Sequence, residues 1–241
     1  MTEPAQYVLP LPHRPALGGE DFLVSPCHAE VIAWLDAWPA WAETGVAVVG
    51  PEGSGKTHLA RMFAAATGAD LTGAAEAEGT AGFGPARLLI VEDIDRNPAE
   101  EALYHLFNRA RDEGAHLLFT SRQPPGCLSL ALPDWRSRLL TCPVAEIGRP
   151  DDALMAAVLV KLFGDRQLLV GEAEIAWLLP RMERSLAAAA LVVEAADRLS
   201  LALHRRVGQA VLKEALEQVA RGEEADHLAA AGGDGAPPVE V

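Results

Sequence analysis

Eight residues, Gly50-Pro51-Glu52-Gly53-Ser54-Gly55-Lys56-Thr57, constrain this chain more than any other stretch. They satisfy the pattern G-x-x-x-x-G-K-S/T through Gly50, Gly55, Lys56 and Thr57. Gly45-Val46-Ala47-Val48-Val49 precedes them, a short apolar run suited to a strand buried on both faces, and a helical pattern starts at Lys56. Between a strand and a helix, glycines let backbone N–H groups wrap phosphate oxygens, and the helix dipole favours their negative charge. Lys56 is expected to reach the β and γ phosphates and Thr57 to hold Mg²⁺. Pro51, Glu52, Gly53, Ser54 and His58 complete the expected nucleotide-binding set.

Leu88-Leu89-Ile90-Val91-Glu92-Asp93-Ile94-Asp95 follows about 35 residues later, an apolar strand ending in acidic side chains. Carboxylates at the carboxyl end of a parallel strand face the same crevice as the loop, where one can order Mg²⁺ and its neighbour can polarise water. Glu92 and Asp93 are the candidates, and either could hold the metal. His116 to Thr120 reads as a third strand, followed by Ser121-Arg122, and Val144 to Ile147 as a fourth. Helical periodicity from Ser25-Pro26 to Pro39, from Lys56, and over Ala99 to Glu113 alternates with these strands, which implies a parallel sheet with helices on both faces. Residues 72 to 86, rich in Gly, Ala and Glu, read as a loose connection.

From Pro150 onward the strand signal ends. Segments 151 to 163, 172 to 182, 186 to 203 and 208 to 220 carry helical periodicity, so residues 150 to 221 read as a small all-helical domain after an α/β domain over 21 to 149. Residues 1 to 20, with four prolines and two glycines, read as an extended arm, and 222 to 241 as a disordered tail.

The balance of 34 acidic to 20 basic residues gives a net charge of -14, which disfavours unaided binding to a phosphate backbone. His204-Arg205-Arg206 is the strongest basic cluster, and three basic residues near a helix end ordinarily complement its dipole. Three cysteines, Cys27, Cys127 and Cys142, are far apart and odd in number, forming neither a disulfide framework nor a metal pattern. With neither a membrane-length apolar run nor a basic, apolar start, the chain is expected in the cytoplasm.

The order of these motifs resembles the DnaA family of AAA+ proteins, and most closely its Hda branch, over about residues 5 to 220. The resemblance implies a five-stranded parallel sheet followed by a helical lid. It also assigns roles. Phe22-Leu23-Val24-Ser25-Pro26 resembles the segment lining the adenine pocket, through Phe22 and Val24, with His28 where the family usually has Asn. Ser121 stands at the polar sensor, Ser137-Arg138-Leu139 matches the box carrying the arginine finger, and Met182-Glu183-Arg184-Ser185-Leu186 matches the second sensor. DnaA itself ends in a helix-turn-helix domain, whereas some twenty polar residues follow the helical segment here. Glu92-Asp93 replaces an aspartate pair, which implies weak or absent hydrolysis by the chain itself.

Gln6-Tyr7-Val8-Leu9-Pro10-Leu11 resembles the Gln-x-x-Leu-Pro-Leu peptide with which Hda proteins bind the DNA polymerase sliding clamp. The implied function is regulatory inactivation of DnaA: clamp-bound and holding ADP or ATP, the chain promotes hydrolysis of ATP on DnaA and so prevents re-initiation of replication. A stand-alone AAA+ ATPase such as a helicase loader is the alternative, distinguished by turnover of the purified chain. A scaffold using the fold without nucleotide is a third. Self-association is open. In the extended-peptide mode, Leu9 and Leu11 enter apolar pockets, Pro10 limits ordering entropy and Gln6 hydrogen-bonds at the rim. Anchors of this kind cost roughly 2 kcal/mol or more on truncation, so Gln6→Ala with Leu9→Ala should weaken clamp binding at least about thirtyfold by surface plasmon resonance. Unchanged affinity would remove the clamp assignment.

Overall fold

The computed structural model describes residues 25–80 and 82–222. Gln6, Leu9, Pro10, Leu11, Phe22, Val24 and the segment 223–241 lie outside the described residues. The chain divides into two compact units at Arg149 and Pro150.

In the first unit, helix α1 (Ala29–Ala37) precedes strand β1 (Gly45–Val49), and helix α2 (Lys56–Thr67) follows the glycine-rich loop. Then come β2 (Asp70–Gly73), β3 (Leu88–Glu92), α3 (Glu100–Glu113), β4 (His116–Ser121), α4 (Pro133–Leu139) and β5 (Val144–Glu146). The strands form one sheet in the order β2-β3-β4-β1-β5, all pairs parallel. Val49 aligns with both Ser121 and Glu146, and Val91 aligns with Phe119, so the strands end along one edge. Ligands of open parallel sheets bind at such an edge, where the connections diverge.

The apolar runs form central strands because both faces are covered. Val46, Val48, Leu88, Ile90 and Leu118 pack with Val31, Leu35, Leu59 and Phe63 of α1 and α2. The alternate residues Ala47, Val49, Leu89, Val91, Leu117 and Phe119 pack with Leu103, Phe107 and Ala110 of α3 and with Trp135 and Leu139 of α4. With period 2 along each strand, every second side chain serves the opposite core.

Two elements differ from the sequence expectation. Residues 72 to 86 are not one loose connection: β2 begins at Asp70 and pairs in register with β3, and Ala74–Gly79 forms a 3-10 segment with Ala74 and Ala77 buried. As a four-residue edge strand with an exposed start, β2 carries no apolar alternation, and its partner strand rather than its composition defines it. The second is α4. Pro133 occupies its first turn, and Trp135 and Leu139, four apart, are fully buried. Glu100 fixes its approach by accepting from the Ala131 and Leu132 N–H groups at 2.9 and 2.6 Å.

The second unit contains α5 (Asp152–Asp165), α6 (Glu172–Leu178), α7 (Leu186–Leu203) and α8 (Gln209–Ala220) around its own core of Met155, Leu159, Phe163, Val192, Val193 and Leu212. Asp151 caps α5 by accepting from the Leu154 N–H at 2.7 Å, and Ser185 caps α7 by accepting from the Ala188 N–H at 3.0 Å. No described helix is long and apolar enough to cross a membrane.

Burial sets the cysteines apart. Cys142 is buried beside β1, and that burial, aided by the charge of Glu43, pushes its thiol from 9.0 up to about 12. Cys127 is exposed. Since the thiolate is the nucleophile, iodoacetamide at pH 8 should modify Cys127 in the native protein and reach Cys142 only after unfolding, as read by peptide mass mapping. The raised value also means that stability from a neutral Cys142 is complete below about pH 9 and is lost as pH rises toward about 12. Equal labelling of the two thiols would contradict this burial.

Candidate functional site

The loop after β1 is shaped by two glycines. Gly55 is the N-cap of α2 at φ 93°, a left-handed conformation that other residues rarely adopt. At Gly50 a Cβ would stand 2.7 Å from Ser54 Oγ and 3.1 Å from Ile147 Cβ, so a larger residue would force both neighbours to shift. The Gly50 N–H donates to the Ser121 carbonyl at 3.1 Å, tying the start of the loop to the end of β4.

Lys56, the first residue of α2, folds back into the loop. Its side chain is buried, with 7% exposure, and Nζ donates to the Gly50 and Pro51 carbonyls at 2.7 and 2.8 Å. Burial lowers its pKa, an effect opposed chiefly by the nearby charges of Asp93 and Asp95. The amides of the first helical turn have no carbonyl one turn earlier to accept them, so Lys56 and Thr57 present N–H donors beside this ammonium.

Across the edge, β3 ends in Glu92 and the chain turns at Asp93, which has φ 56°. Thr120 holds that turn: its Oγ1 accepts from the Asp93 N–H at 3.0 Å and its carbonyl accepts from the Ile94 N–H at 3.0 Å. A cleft of about 450 Å³ opens between loop and strand ends, lined by Glu52, Gly53, Gly55, Lys56, Thr57, His58, Arg61, Asp93, Arg96 and Arg122. Four cations and two carboxylates therefore face it, although the whole chain carries -14.

Most of the expected loop residues thus meet Asp93 in one cleft, and Ser54 is buried behind them. Glu92 does not line the cleft; its Oε1 is buried with no hydrogen-bond partner among the described residues. Ser121 is fully buried, and its hydroxyl closes a turn by donating to the Gln123 carbonyl at 2.7 Å and accepting from the Gln123 N–H at 3.2 Å. The next residue, Arg122, faces the cleft instead. Its Nε donates to Asp95 Oδ2 at 2.5 Å, and this pairing raises its already high pKa. Arg61 and Arg96 escaped the sequence reading, and Asp95 and Arg122 stood in its motifs without a role. Asp95, Arg96 and Arg122 all follow the ends of β3 and β4, the edge already marked by Asp93 and Ser121.

Arg138 lies on α4 outside this cleft. Trp135, packed edge-on against Phe119 and Phe107 at 5.7 and 6.3 Å, and Leu139 anchor the helix. Among the described residues, neither Arg136 nor Arg138 has an ion-pair partner. Arg184 belongs to the helical unit, just before the cap of α7, where its Nη2 stands 2.8 Å from Asp152 Oδ1.

No family model matches the chain, and neither does any curated protein. Solved structures do. Domain III of the replication initiation protein DnaA from Thermotoga maritima superposes with a TM-score of 0.67 at 18% identity, over 86% of this chain and 98% of that one. AMPPCP-bound DnaA from Aquifex aeolicus gives 0.59 at 17% identity over 85% and 68%. The chain has the AAA+ fold of DnaA. That AAA+ architecture also extends to RuvB, the Holliday junction branch migration motor of Thermotoga maritima, at a TM-score of 0.57 and 16% identity over 79% and 66%.

Thr120 is buried, and the contact by which it holds the acidic turn is partly buried. Thr120→Val keeps the shape but leaves the Asp93 N–H without its protein acceptor, a loss of about 0.5–1.5 kcal/mol. Chemical denaturation should show the midpoint falling accordingly. An unchanged midpoint would show that the hydroxyl does not hold the turn.

Proposed function

We propose that the chain is a DnaA-related regulator that binds adenine nucleotide at the Gly50–Thr57 loop and acts on ATP held by DnaA. The observation that carries the nucleotide reading is the buried Lys56 ammonium at the head of a cation-lined cleft, in a chain that is otherwise acidic. Such a cleft focuses a polyphosphate and fits little else at this position. Thr57 and Asp93 both line it, a hydroxyl and a carboxylate suited to Mg²⁺. Among the described residues no group of three or more His, Cys, Asp or Glu stands together, which fits an ion that takes its remaining ligands from phosphate and water. Mg²⁺ bound there would neutralise phosphate charge. Phe22 and Val24 contribute to the adenine side, and Arg184 serves as second sensor.

The regulatory half of the proposal rests on two features. Gln6, Leu9, Pro10 and Leu11 form the clamp-binding peptide, which places an acidic protein beside DNA without its having to bind DNA. Arg138 stands outside the chain's own cleft and has no ion-pair partner among the described residues, which supports a role on a neighbour's nucleotide. Glu92, away from the cleft, supports weak hydrolysis by the chain itself. A guanidinium offered to DnaA-bound ATP meets charge that develops as the γ-phosphoryl leaves, and such fingers contribute about 10³ to 10⁵ in rate.

With clamp loaded on DNA, the parent should accelerate hydrolysis of DnaA-bound ATP. Arg138→Ala should return it to the unstimulated rate. Arg138→Lys should fail nearly as badly, because an ammonium cannot imitate the planar fork. Full stimulation by Arg138→Ala would rule this arginine out and direct the test to Arg136.

A further inference from the structure

Glu52 sits on the exposed crown of the loop, yet its carboxylate is not left to solvent alone. Oε1 lies 3.3 Å from Arg96 Nη2 and Oε2 lies 3.9 Å from Arg122 Nη1. The two arginines come from different connections, one following β3 and the other following β4 directly. Arg122 is the better fixed. Its Nε is bound to Asp95, whose side chain is only 3% exposed, so one edge of the guanidinium is anchored while Nη1 is directed to Glu52. All three members of this Glu52, Arg96 and Arg122 cluster line the cleft that Lys56 heads.

An exposed ion pair contributes little to stability, so holding the loop together does not account for the arrangement. Its chemistry does. The guanidinium fork takes carboxylate and phosphate oxygens in the same planar geometry, which makes them competitors for one donor set.

We propose that Arg96 and Arg122 are phosphate-binding residues of this cleft, and that Glu52 occupies them as an internal anion until the distal phosphates of a nucleoside polyphosphate take its place. The proposal rests on the nucleotide-binding reading above and extends it to specificity. Glu52 is exchanged only for phosphates beyond the first. A ligand with several phosphates displaces it, whereas a monophosphate leaves it in place. Asp95 keeps Arg122 in position during the exchange.

Calorimetry with ATP, ADP and AMP as probes tests this on the parent, Glu52→Gln, the Arg96→Met with Arg122→Met double variant, and the triple variant, with folding checked by circular dichroism. Removing the competing charge in Glu52→Gln should tighten ATP about three- to tenfold while changing AMP less than about twofold. The double variant should weaken ATP about tenfold or more, and adding Glu52→Gln to it should yield no gain. Unchanged or weaker ATP binding in Glu52→Gln overturns the proposal, as does an equal gain in the double background. If the parent binds ATP through Lys56 and Glu52→Gln changes nothing, this proposal alone falls. If the parent binds none of the three nucleotides, the loop reading falls with it.

Discussion

The Lys56 ammonium, buried where β1 hands over to α2, is the interaction around which the α/β unit is organised. Burying a charge costs several kcal/mol unless partners replace the lost water. Here the Gly50 and Pro51 carbonyls replace two of its hydrogen bonds, and Asp93 and Asp95 oppose the fall in its pKa. Each partner needs its own support. Gly50 is tied to Ser121 across the sheet and is crowded by Ser54 and Ile147, Asp93 is held by Thr120, and Gly55 lets the helix start at the required angle. The parallel register that ends β1, β3 and β4 on one edge brings these parts together.

That arrangement also explains how an acidic chain can hold an anion. Net charge acts over the whole surface and weakens within about a Debye length of 8–10 Å, whereas the cleft presents Lys56, Arg61, Arg96 and Arg122 at contact range. Local charge therefore decides what enters the cleft, and the overall charge of -14 decides what the rest of the surface avoids. The AAA+ fold shared with DnaA and RuvB supplies the frame. The pairing of Arg122 with Asp95 and of Glu52 with both arginines belongs to the side chains of this sequence.

Much of the fold was legible because two strong periodicities alternate. Continuous apolar runs at 45–49 and 88–91 mark strands covered on both faces, and the helical unit after Pro150 shows 3.6-residue patterning in four successive segments, with α7 spanning Leu186–Leu203 as read from the sequence. Elements whose definition lies in a partner escaped. The edge strand β2 depends on β3, and α4 is only seven residues long, legible afterwards from Pro133 and the Trp135–Leu139 spacing. The site was legible to the same extent. The loop pattern and the acidic strand end carry the chemistry in their residue types, whereas Arg96 and Arg122 acquire meaning only when the register sets them across from Glu52. Ser121 shows the converse: a hydroxyl at the right sequence position spends its hydrogen bonds on its own turn.

The central claim is that the Lys56 ammonium, held in the loop by the Gly50 and Pro51 carbonyls, is the principal side-chain partner of a nucleotide's phosphates. Titrating ADP with Mg²⁺ into the parent and into Lys56→Ala by isothermal calorimetry tests it most directly. The account predicts measurable binding by the parent and a loss of about 2 kcal/mol or more in the variant, roughly thirtyfold, with the fold retained by circular dichroism. ADP bound as tightly by Lys56→Ala as by the parent would contradict it.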